Sequence, residues 1–205
     1  MKRGGARHPP TWEDWLKSPR VCEQSLRYFE RQGQVKRLNG KQASDDVIGH
    51  LKKAFHNLSL ANQLFDGNQK GDLQTTYSGE NFYDWVITVS YYSMYQACLS
   101  ALAAVQKSGE NHSASVCALV YHYVHKRKRL NEQYLLALDN IRTLANQDVQ
   151  RLVERKFDRE KASYDTGYTT QVGLAQTALS EAREFVLKIR EILLDALRKD
   201  FLKDV

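Results

Sequence analysis

Cysteine and proline are both scarce, with three of each in 205 residues. The cysteines, Cys22, Cys98 and Cys117, are odd in number and have no CxxC spacing, which excludes a disulfide framework and a zinc site of the usual pattern. Cys98 and Cys117 have apolar neighbours and are expected to be reduced core residues. With so few prolines and only eleven glycines, a turn-rich barrel or a low-complexity chain is also excluded. Long apolar runs are missing too: the longest, Ala97–Val105, has nine residues and is broken by Ser100. A membrane-spanning helix needs roughly 18–20. Met1–Pro10 carries the charges of a signal peptide with no apolar stretch behind them, so the expected location is cytoplasmic. GxGxxG, P-loop, HExxH and GxSxG patterns are absent as well, and no cofactor or metal is expected.

What is present is a 42% hydrophobic chain, enough for one core, with a formal charge of +6 from 30 basic and 24 acidic residues. That surplus is confined. Residues 1–43 hold ten Lys and Arg against four Asp and Glu, whereas residues 44–205 are balanced at 20 and 20. The organisation read from this is a basic N-terminal extension with short helices over 1–43, followed by a helical bundle over 44–205.

Helical periodicity dominates the body. Trp12–Lys17 is a short helix, and Ser18-Pro19 supplies an N-cap with Pro at the first helical position of a second, ending near Gln32. Gly33–Gln42 reads as a polar linker. Ser44 is the expected cap of an amphipathic helix of about 22 residues ending at Asp66-Gly67-Asn68, and Asn68–Gly79 is expected to be a loop. Glu80–Lys107 is the most apolar helix, placed at the centre. Helices over Ser113–Lys126, Asn131–Lys156 and Val172–Leu202 complete the set. The expected fold is all-α, an antiparallel up-down bundle of about five long helices.

The run Asn81-Phe-Tyr-Asp-Trp-Val-Ile-Thr-Val-Ser-Tyr-Tyr-Ser-Met-Tyr-Gln-Ala-Cys-Leu-Ser-Ala-Leu resembles the central helix of HEPN domains (higher eukaryote and prokaryote nucleotide-binding). Asn111-His112-Ser113 is similar to the turn that opens the family's next helix. Arg159–Tyr164, followed by Asp165, resembles the segment before its last helix. The resemblance covers about residues 44–203. It implies a HEPN-like bundle that homodimerises and binds RNA or a nucleotide. It also implies kinship with toxin-antitoxin and phage-defence ribonucleases, which pair with a nucleotidyltransferase antitoxin. Their metal-independent cleavage uses Arg, four to six residues, then His. Here the residue before His112 at that distance is Lys107, so the resemblance leaves cleavage open, with His112 as candidate base and Lys107 as candidate phosphate holder. The non-catalytic alternative is a homodimeric protein-interaction module.

Other candidates come from the residues themselves. His112, at a helix start, either caps that helix or contacts a nucleotide. Lys126, Arg127, Lys128 and Arg129 form the densest basic cluster: either a solvated helix end or, with Tyr121 and Tyr123 stacking on bases, a phosphate site. His122 and His125 lie one turn apart, without carboxylate or cysteine at helical spacing to complete a metal site. Tyr91, Tyr92 and Tyr95 are expected in core or interface with tethered hydroxyls. Trp12 and Trp15 lie on one side of a helix turn and dock either on the bundle, the expected arrangement, or on a partner.

Overall fold

The computed structural model describes residues 10–76, 81–155 and 168–201. It is all-α apart from one two-stranded ribbon. In chain order the elements are α1 (Trp12–Lys17), α2 (Pro19–Arg31), β1 (Val35–Arg37), α3 (Gly40–Lys70), α4 (Asp72–Thr76), α5 (Tyr83–Ala103), β2 (Lys107–Gly109), α6 (His112–Leu119), a π-helical segment (Val120–Lys126), α7 (Glu132–Arg155) and α8 (Tyr168–Phe201). Among the described residues no helix is long and apolar enough to cross a membrane.

α5 is the central element and packs against α3, α7 and α8. Its pairing with α3 is antiparallel, as two cross-helix bonds establish. Ser93 Oγ donates to the Ala54 carbonyl and Ser100 Oγ to the Val47 carbonyl, each at 2.8 Å, so seven residues forward on α5 are seven back on α3. Small buried residues on both helices, Ala54, Ala61, Ala97 and Ala101, allow that close approach. On its opposite side the core is filled from α7 and α8 by Leu138, Ile141, Phe185, Val186 and Ile189.

Several boundaries differ from expectation, each for a local reason. α3 starts four residues before Ser44, because Asn39 Oδ1 accepts from Gln42 N at 2.9 Å and serves as the cap; Ser44 Oγ instead donates back to the Gly40 carbonyl. It continues past Gly67, since the left-handed position that ends it is Gly71 at φ +78°. Asn68 lies inside the helix and is buried: its side-chain oxygen accepts from Phe82 N at 2.9 Å, and its amide donates to the Leu64 carbonyl. The expected loop after Asn68 therefore contains the end of α3 and then α4.

α5 stops at Ala103, short of the expected Lys107. Gln106 takes φ +55°, and Lys107–Gly109 then pairs antiparallel with Val35–Arg37 in what reads as a linker. Gly109 is demanded by close packing: a Cβ there would lie 3.0 Å from Ser115 Cα in α6. The helix expected over Ser113–Lys126 changes character midway. Arg127 N reaches the His122 carbonyl at 3.1 Å, the five-residue bond of a π-helix.

α1, α2 and β1 are not set apart from the bundle. Trp15, Cys22, Leu26 and Val35 are buried in the same core cluster as the α5 and α8 residues. The Ser18 cap forms as its sequence suggests, with Ser18 Oγ accepting from Val21 N at 3.3 Å. Cys22, Cys98 and Cys117 are all free and buried.

Candidate functional site

Three aromatic rings converge where α5 meets the start of α6. Tyr91 and Tyr95 are four residues apart and so share a face of α5. Their ring centroids are 6.0 Å apart and nearly parallel, at 17°. The α6 cap brings in the third ring: Asn111 Oδ1 accepts from Ala114 N at 2.9 Å, so Asn111 does the capping and His112 is left free to turn its ring toward α5. His112 Nδ1 and Tyr91 Oη are 3.1 Å apart, and the imidazole lies beside Tyr95 at 5.9 Å and 29°. Tyr95 Oη is held by Ser115 Oγ at 3.3 Å. Tyr92 is half exposed, with its ring tilted against Tyr91 at 5.3 Å between centroids.

Burial keeps these rings neutral. It pushes the Tyr91 hydroxyl up to about 12 and raises that of Tyr95, and it takes the His112 imidazole down to about 3. The second contribution at His112 is Arg142, on α7, whose positive charge disfavours a second cation. Arg142 Nη1 is 3.6 Å from Asp139 Oδ1, one turn earlier, and burial raises the Asp139 carboxyl. The site thus presents two phenol hydroxyls, a neutral imidazole, aromatic faces and one guanidinium. Stacking on a base, hydrogen bonding to its edge and charge pairing with a phosphate are all within its chemistry.

Lys107 is not part of it. Its ammonium is held by Glu30 Oε1 at 2.6 Å, bridging β2 to α2, and its charge bears on His122, not on His112. The expected Lys107 and His112 pair therefore does not form within the chain: Lys107 follows the ribbon toward α2, whereas His112 turns toward α5. The cation beside His112 is Arg142, thirty positions further along. No local pattern announces that charge, because α7 is brought near by its packing on α5.

The 126–129 cluster divides. Arg129 is engaged by Asp195 of α8, with Glu191 at 3.9 Å, and is unavailable for phosphate. Tyr123 cannot stack on a base: it is 2% exposed and its hydroxyl donates to the Ala101 carbonyl at 2.7 Å. Tyr121 is partly covered by Lys126, whose ammonium is 5.2 Å from the ring centroid, and Arg127 lies 5.4 Å from the Tyr123 ring. Lys126, Arg127 and Lys128 remain exposed.

The two neighbouring histidines diverge. His125 Nε2 meets the Trp15 carbonyl at 2.7 Å, while His122 Nε2 is buried with no hydrogen-bond partner among the described residues. Burial, reinforced by Arg127, takes His122 down to about 4. Among the described residues no three His, Cys, Asp or Glu side chains converge as a metal site would require. Arg159, Tyr164 and Asp165 lie outside the described residues. No protein-family model, no curated protein and no solved structure matches the chain.

Proposed function

We propose that the chain is a HEPN-like bundle that binds RNA or a nucleotide through the Tyr91, Tyr95, His112 and Arg142 cluster. The observation that supports this is the convergence of Tyr91, Tyr95 and His112, all within the two stretches that resemble the family, beside the Arg142 guanidinium. Binding is favoured over cleavage. A general base works best with a pKa near the operating pH, and His112, at about 3, is a weak one. The kinship with toxin or defence ribonucleases, and with a nucleotidyltransferase antitoxin as partner, rests on the resemblance alone.

The test is fluorescence anisotropy with labelled single-stranded RNA and with nucleotides, in EDTA, on wild type, His112→Ala and Arg142→Gln. Each substitution is expected to weaken binding by about tenfold, the scale of one stacking or charge-assisted interaction. Unchanged affinity in both would remove the cluster from the site. RNA cleavage in EDTA that His112→Ala abolishes would restore the histidine as a base.

A second reading, the homodimeric interaction module, is favoured by Trp85 and Tyr92, which are 48% and 51% exposed and two turns apart on one face of α5. Sedimentation equilibrium at micromolar protein is expected to show a dimer that Trp85→Ser weakens. A monomer at all concentrations would remove this reading.

A further inference from the structure

The basic residues of the N-terminal segment have no role in the cluster around His112, yet α2 arranges them in order. Cys22 and Leu26 face inward and are buried, while Arg20, Gln24, Arg27, Tyr28 and Arg31 are all exposed. Spacings of four, three and four residues from Arg20 to Arg31 place the cations and Gln24 in one row along the outer side of the helix, roughly 16 Å long at 1.5 Å per residue. Gln24, Arg27, Glu30 and Arg31 line an open depression of about 590 Å³.

Further exposed cations lie on the element that α2 packs against. This helix packs against the π-helical segment, whose end carries Lys126 and Arg127. Glu30 of α2 and Arg127 and Lys126 of the π-helical end all act on the one imidazole of His122, so that end lies along the Glu30 side of α2. The carboxylates nearby are already engaged, Glu23 by Arg27 at 2.8 Å and Glu30 by Lys107 at 2.6 Å. Among the described residues no carboxylate pairs with Arg20, Arg31, Lys126 or Arg127. Tyr28 flanks the row with 51% of its surface exposed, its ring meeting that of Phe29 edge-on at 5.8 Å between centroids.

We propose that the outer face of α2, together with the end of the π-helical segment, holds the phosphate backbone of single-stranded RNA, with Tyr28 stacking on a base. This rests on the reading of the chain as an RNA binder and locates where the backbone is gripped. A strand of phosphates fits a linear row of exposed cations, and an aromatic ring beside it distinguishes a nucleic acid from an acidic polypeptide, which offers charge without bases. The α2 part of this face lies outside the stretch that resembles the HEPN family.

The experiment measures binding of labelled single-stranded RNA against salt for wild type, Arg20→Gln/Arg31→Gln, Lys126→Gln/Arg127→Gln and Tyr28→Ala, with circular dichroism to verify folding. All the replaced side chains are exposed, so the variants keep the fold. Each double variant is expected to bind several-fold more weakly and to flatten the log–log salt slope by about 1.4, at roughly 0.7 for each phosphate no longer neutralised. Tyr28→Ala is expected to weaken binding about tenfold with the slope unchanged. If wild type binds RNA and both double variants bind equally well with the same slope, the face is overturned while the RNA reading stands. If wild type binds no RNA, both fall. Displacement of RNA by poly-glutamate, with Tyr28→Ala neutral, overturns the proposal in favour of an acidic protein partner.

Discussion

The N-terminal segment of α1, α2 and β1 and the body of long helices are held by different means. In the body, α5 meets α3 through alanines and through serines that donate across the interface, and it meets α7 and α8 through large aliphatic and aromatic side chains. Many small contributions add up over long helices, and no single side chain decides the outcome. The segment is fastened at a few points. Trp15, whose Nε1 donates within the segment to Ser25 Oγ at 2.9 Å, meets His125 of the π-helical segment through its carbonyl. Cys22 and Cys117 each direct a thiol at the other's carbonyl oxygen, at 3.5 and 3.6 Å. The β1 and β2 ribbon and the Lys107 to Glu30 ion pair complete the attachment. Its cations face outward, whereas the body turns its one notable cluster, around His112, partly inward. A change in charge at residue 43 therefore marks a difference in surface chemistry and not a break in packing.

The substitution that strains this contrast most is Trp15→Ala. Trp15 is 5% exposed and touches Phe29 edge-on at 5.9 Å between ring centroids, so removing the indole leaves a cavity under α1 and frees Ser25 Oγ of its donor. A loss of about 3–5 kcal/mol is expected, the range for a buried tryptophan. Because the segment shares the body's core, urea denaturation should show one cooperative transition moved to lower urea. Proteolytic release of the first forty residues from a body with unchanged stability would instead mean that the segment is a separable attachment.

How much of this is legible in the sequence follows from the range of the interactions. Features set by neighbours within four residues can be read: the Ser18-Pro19 start of α2, the apolar centre of α5, and the Tyr91 and Tyr95 pair on one face. Features set by distant partners cannot. Lys107 stands at the right spacing before His112, but spacing along the chain does not say that Val35–Arg37 will pair with the ribbon and turn Lys107 toward Glu30. Arg142 has no local sign of its nearness to His112. The four consecutive cations at 126–129 look equivalent, yet the π-helical register sends Tyr123 into the core and the turn after it, with Lys128 at φ +51°, carries Arg129 to α8. Gly67 resembles a helix stop because glycine is tolerated at one, but the chain takes its left-handed turn at Gly71.

Acid offers a finer comparison, since one depressed imidazole belongs to the body and the other to its junction with the segment. The ordinary value is 6.5, and the folded values are about 3 for His112 and about 4 for His122, in both cases first because burial disfavours the charged ring. A depressed histidine binds protons more readily in the unfolded chain, so its neutral burial is compatible with folding above pH 6.5 and becomes a liability as pH falls. Stability should decline from about pH 6.5 downward, the His122 share levelling off near pH 4 and the His112 share near pH 3. The slope is at most about 1.4 kcal/mol per pH unit for each ring. Urea midpoints across this range would measure it. His112→Gln and His122→Gln should each flatten the profile by one ring's share. Hydrogen exchange separates the regions: protection of α5 and α6 should become less acid-sensitive in His112→Gln, and that of α2 in His122→Gln. If both variants relieve the same amides, the segment and the body open as one unit, and their different fastenings do not make them independent. A wild-type profile that is flat between pH 6.5 and 4 would mean that neither ring is held neutral by burial.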